Sequence, residues 1–197
     1  KAAAYSNYFT FNSVSQRFDR NYLVTEATTA FLQVGFNIAL LAGETYNLDI
    51  LIACPQLTLT SIPTPPWPSD PFDQVTISGA NLIRNLVSGA VVGTPGTLPT
   101  NWLTSLASGI TREVVAVDTN YIDIRLSGTI GVATSSVLLW ETATQIAAVK
   151  DDVVGIGTNV SLVGGSLTNV ISITLTAIEY SSAPAVLVNN NGVALPV

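Results

Sequence analysis

The sequence predicts an all-β protein, a sandwich of two sheets, and three observations predict it. Apolar and polar residues alternate with period two along short stretches. Connections rich in Gly, Asn and Ser separate those stretches. No segment sustains a 3.6-residue apolar period with helix caps. The 197 residues suit one large all-β domain or two small ones, with ample length for a core.

Taken in chain order, strands are expected near residues 5–12, 17–25 and 30–40. The pattern is clearest in Thr45-Tyr46-Asn47-Leu48-Asp49-Ile50-Leu51-Ile52, where positions 46, 48, 50 and 52 are apolar and 45, 47 and 49 polar. Successive strand side chains point to opposite faces, so this stretch has one wet and one dry face. A strand near 111–117 precedes Tyr121-Ile122-Asp123-Ile124-Arg125-Leu126, with Ile122, Ile124 and Leu126 inward. Strands near 132–140 and 153–163 follow. Residues 170–178 alternate again, Ile171, Ile173 and Leu175 inward against Ser172, Thr174 and Thr176. Residues 142–149 could make a short helix, but extended structure is expected there. Ala42-Gly43, Val163-Gly164-Gly165-Ser166 and Asn189-Asn190-Asn191-Gly192 are read as connections, because Gly and Asn accept the positive φ of tight turns.

One boundary stands out. Half of the ten prolines fall between residues 63 and 71. Proline removes a ladder donor and fixes φ, so Pro63, Pro65, Pro66, Pro68 and Pro71 exclude an interior strand. The sequence therefore divides into residues 1–61, a stiff extended arm over 62–73, and residues 74–197. Trp67 is the residue expected to dock that arm on a neighbouring surface.

Composition narrows the function. Only 10% of residues are charged, against about 25% in ordinary soluble domains. A chain this poor in charge is expected to cover its surface with something, and copies of itself are the simplest cover. A monomer with a Thr-, Ser- and Asn-rich surface fits the same numbers. The net charge of −6, from seven Lys and Arg against thirteen Asp and Glu, leaves no basic patch for nucleic acid or an anionic membrane surface. No apolar run approaches the roughly 18 residues a membrane helix needs. The first residues do not read as a signal peptide. Cys54, the single cysteine, has no internal partner and is expected as a small buried core residue.

The run Asn81-Leu82-Ile83-Arg84-Asn85, with Gly93-Thr94-Pro95-Gly96-Thr97-Leu98-Pro99-Thr100-Asn101-Trp102, resembles the start of jelly-roll domains in phage and prophage tail and fibre proteins. Those domains are similar to carbohydrate-binding modules. The likeness continues through residues 121–128 and 162–170. Arg17-Phe18, residues 28–34 and Ile52-Ala53-Cys54-Pro55-Gln56-Leu57 resemble the family's closing strands, placed here before the opening ones. The resemblance implies a jelly-roll β-sandwich, either permuted within the chain or completed by strands from a neighbouring copy. A window on a longer tandem-repeat protein gives the same order.

Catalytic chemistry finds little support. The chain has no histidine, which removes the commonest general base and metal ligand. With one cysteine, structural zinc has no ligand set. The runs at 89–93 and 155–157 lack the Lys-Ser/Thr and helix of a phosphate loop. Asp123 and Glu113, near Arg112 and Arg125, could form a hydrolytic carboxylate pair, but cross-strand ion pairing is the expected role. Asp151-Asp152 lacks the alternating spacing of a calcium loop and is read as a solvated turn. No catalytic residue, cofactor or metal is assigned.

Sugar rings stack on exposed aromatics, so Tyr121 and Trp102 are the candidate carbohydrate contacts, while Trp140 is expected in the core. The expected function is a non-catalytic structural and adhesive subunit, or tandem repeat, of an extracellular or virion fibre, built by strand complementation between sandwich units. A self-assembling cell-surface filament and a monomeric carbohydrate-binding module are the alternatives. The expected partners are copies of the chain itself and a cell-surface glycan.

Overall fold

The structure, a computed structural model, describes residues 13–60, 81–84, 86–192 and 194. Eleven strands make up the described part: β1 (Gln16–Leu23), β2 (Phe31–Leu40), β3 (Thr45–Thr60), β4 (Leu103–Ser105), β5 (Ile110–Val117), β6 (Tyr121–Thr129), β7 (Thr134–Trp140), β8 (Ile146–Ala147), β9 (Val153–Ser166), β10 (Val170–Tyr180) and β11 (Val186–Asn191). They form two antiparallel sheets packed face to face, a β-sandwich with no helix among the described residues. One sheet runs β1-β9-β3-β6-β5. The other runs β11-β10-β2-β7-β4, with β8 also paired to β2.

Strands from before and after the proline-rich stretch alternate in both sheets. β3 lies between β9 and β6, and β2 between β10 and β7. Residues 1–61 and 74–197 therefore contribute to one core within a single chain. The expected strand at 5–12 and the arm residues Pro63, Pro65, Pro66, Trp67, Pro68 and Pro71 lie outside the described residues. The flanks of that arm are fixed together: the Leu82 amide donates to the Leu57 carbonyl at 2.8 Å. Asn81 seals the junction, its Oδ1 accepting from the amides of Leu57 and Ile83 and its Nδ2 donating to the Pro55 carbonyl.

The expected alternation places the core. Ile50, Ile52, Ile122, Ile124 and Leu126 of one sheet meet Phe36, Ile38, Leu138 and Trp140 of the other, all buried. Trp140 is fully buried, with Phe36 edge-on at 5.5 Å between ring centroids and Trp102 tilted against it at 6.2 Å. Residues 142–149 hold a turn and the short β8, not a helix.

Several expectations fail for local reasons. Pro55 sits within β3, tolerated because the pairing with β9 shifts register between Ala53 and Gln56 and no ladder donor is needed there. That shift gives Cys54 a φ of 49° and leaves it half-buried rather than in the core. Gly164 and Gly165 lie inside β9, and the turn follows at residues 167–169. Asn189, Asn190 and Asn191 belong to β11 rather than to a connection. Ile171 falls at a bulge opposite β2 and is exposed, while Ile173 and Leu175 are buried as expected.

Gly35 marks where β2 and β7 approach most closely, since a Cβ there would stand 2.0 Å from the Leu138 carbonyl oxygen. Gly35→Ala is expected to force the two strands apart and cost about 1–3 kcal/mol, read as a lower urea midpoint. An unchanged midpoint would show that β7 moves without penalty.

Candidate assembly surface

A sheet end presents unpaired amide and carbonyl groups, so each of the four ends in this sandwich is a place where another strand could add. Three are blunted by identifiable devices. At β5, residues 91–97 fold back over the edge, and Gly93 and Val114 exchange amide-to-carbonyl bonds of 2.9 Å in both directions. Arg112 holds that excursion down, donating to the Pro95 and Gly96 carbonyls and to the Thr104 hydroxyl. Burial pushes the Arg112 guanidinium below its ordinary value. At the other end on that side, β4 is only three residues long.

The third end, β1, is charged. Arg17 pairs with Asp19 at 2.9 Å and donates to Gln56 at 2.7 Å. Arg20 crosses to the opposite sheet, donating to the Leu175 carbonyl at 2.7 Å and to Asn190 Oδ1 at 2.8 Å, and stacks over Tyr22. It thereby ties β1 to β10 and β11 along one flank of the sandwich. β1 ends at Gln16, opposite Val160. Continued backwards, its register would set Ser13 opposite Val163, the extra residue of a bulge in β9, and the chain bends at Ser13 and Val14.

β11 is the exception. Its sequence, Val186-Leu187-Val188-Asn189-Asn190-Asn191, carries neither charge nor proline, and Val186 is 59% exposed. It pairs with β10 on one side, and no strand pairs with its other side among the described residues. Gly192 donates to the Leu175 carbonyl at 2.9 Å, so the pairs 177↔190 and 179↔188 bond across to β10 while Asn189 and Asn191 turn their amides outward. Sequence reasoning missed this edge because three asparagines before a glycine look like a turn. The β-branched residues Val186 and Val188 just upstream were the signal.

The base on which β11 rests is held by a buried carboxylate. Glu179, opposite Val188, is wholly buried and accepts five hydrogen bonds: from the Tyr22 and Thr29 hydroxyls, the Thr25 amide and hydroxyl, and the Glu26 amide. Burial alone would raise its pKa, but the bonds from Thr29, Tyr22, Thr25 and Glu26 outweigh it and hold the carboxyl below the usual range. Burial and the Glu179 charge push the Tyr22 phenol upward.

The outer face of the β1 sheet carries the polar cluster expected from sequence. Arg125 on β6 grips Asp49 on β3 with two bonds of 2.7 and 2.8 Å and reaches Glu113 on β5 at 2.9 Å. Glu113 thus serves in an ion pair. Asp123 lies outside that ladder; burial and the negative charge of Asp49 raise its carboxyl, with Glu113 adding and Arg125 opposing. Tyr121, beside it on β6, is half-buried. Trp102 is only 5% exposed and packed on Trp140, so it offers no ring face to a sugar. Asp151 and Asp152 form a turn, where Asp152 accepts from the Val149 amide at 2.8 Å. Among the described residues no group of three or more His, Cys, Asp or Glu could hold a metal ion, and no helix is long and apolar enough to cross a membrane.

No protein-family model, curated protein or solved structure matches this chain.

Because the folded pKa of Glu179 lies below its ordinary 4.5, its stabilisation is complete above that value and is lost as pH falls through the depressed one. Stability is therefore expected to drop on acidification below about pH 4.5. Glu179→Gln should be less stable at neutral pH by about 2 kcal/mol and flatter across the acid window, as thermal melts at several pH values would read.

Proposed function

We propose that this chain is a non-catalytic structural and adhesive subunit, or tandem repeat, of an extracellular or virion fibre. In this reading the sandwich is of jelly-roll type and successive units join by strand complementation. One observation carries it: three sheet ends are blunted, and the fourth, β11, has six uncharged residues and no strand on its outer side among the described residues. An uncharged edge of that kind is a template for another chain. The low charge of the whole chain supports the same reading, since 10% charged residues is little with which to keep surfaces apart. The jelly-roll assignment is supported by the path, which changes sheet at most steps along the chain.

A self-assembling cell-surface filament rests on the same physics. Purified protein is expected to form rods or filaments in negative stain. Small discrete particles at high micromolar concentration would defeat the proposal.

A glycan-binding role is favoured by one arrangement, the half-buried Tyr121 beside Asp123 and the Asp49–Arg125–Glu113 ladder on an otherwise flat sheet face. Aromatic rings with neighbouring carboxylates and guanidinium groups suit sugar hydroxyls. Tyr121→Ala should abolish binding on a glycan array while leaving the melting temperature within a few degrees. Trp102→Ala should instead lower stability, by about 3–5 kcal/mol.

A further inference from the structure

Resting on the fibre reading above, we infer that residues 5–12 of one copy add as a strand to the outer edge of β11 in the next. The acceptor follows by elimination among the sheet ends: a folded-back loop covers β5, β4 is three residues long, and β1 is charged. β11 alone has six uncharged residues and outward-turned amides at Asn189 and Asn191.

The donor follows from sequence and register. Residues 5–12, Tyr-Ser-Asn-Tyr-Phe-Thr-Phe-Asn, contain no charge and no proline, and are long enough to cover six. The bulge at Val163 interrupts the line along which they would otherwise extend β1 on β9, and the chain bends at Ser13 and Val14.

The two segments also match in chemistry. In strand geometry Tyr5, Asn7, Phe9 and Phe11 would share one face, and Ser6, Tyr8, Thr10 and Asn12 the other. On β11 the residue opposite the core-facing Glu179 is Val188, whereas Asn189 and Asn191 lie on the outer face opposite Ile178 and Thr176. An added strand would therefore set its aromatics and Asn7 beside Val188 and Asn190, and its hydroxyls, Tyr8 among them, beside Leu187, Asn189 and Asn191. Cross-strand pairs of these kinds are favourable.

The test uses the full chain and a version lacking residues 1–12. The full chain should polymerise. The shortened chain should melt cooperatively and stay monomeric by light scattering. A fluorescent peptide of residues 1–12 should bind the shortened chain one-to-one. Asn189→Pro removes an outward amide and keeps the backbone ladder to β10, losing there only the side-chain bond from the Thr176 hydroxyl, and should weaken that binding at least tenfold. Asn191→Lys, which places a charge on the same edge, serves as a second variant should proline disturb folding. Equal peptide binding by both variants, or polymerisation of the shortened chain, would overturn the inference. Filaments that persist in both variants overturn the edge assignment and leave the fibre reading standing. A full chain that stays monomeric, its own residues 5–12 closing its own edge, overturns both.

Discussion

Everything in this sandwich hangs on two central strands. β2 and β3 are near neighbours in sequence, joined through residues 41–44, yet each is flanked on both sides by strands from the far end of the chain. Neither sheet can close before residues 103–191 have arrived. Pairing of this kind requires loop closure before any contact repays it, which makes folding slow and leaves unpaired edges exposed meanwhile. The devices at the sheet ends address that hazard directly. Arg112, Arg17 and Arg20, three of the five arginines in the chain, are spent on or beside edges.

The remaining two arginines also bind acids or fix chain crossings. Arg84 donates its amide and guanidinium to the fully buried Glu141, which holds the 81–102 excursion against β7. Arg125 joins three strands through Asp49 and Glu113. A chain with few charges has placed its arginines where they bridge elements, Arg20 reaching Asn190 of β11 from β1 among them.

Much of the architecture was legible beforehand, because period-two alternation is a direct consequence of strand geometry. β3, β6 and β10 lie where alternation put them, β1, β2, β5, β7 and β9 overlap the other expected stretches, and Trp140 is in the core. What escaped was set by tertiary contacts. β4 is too short to carry a pattern and exists because it lies along β7. Gly164 and Gly165 look like a turn, yet pairing with Asp49 and Leu48 extends them. Trp102 follows a proline in a loop-like stretch, and it is buried in the core beside Trp140. Glu179 gave no sign in sequence, since its five donors come from residues about 150 positions away.

The clamp between Leu57, Asn81 and Leu82 has a consequence for the stretch it encloses. Because both stems of residues 61–80 are moored at nearly one point on the same sandwich, the intervening chain can lengthen or shorten without pulling on the core. Closing a flexible segment of twice the length costs only about 0.6 kcal/mol more. The mooring thereby uncouples the length of what it encloses from the register of β3.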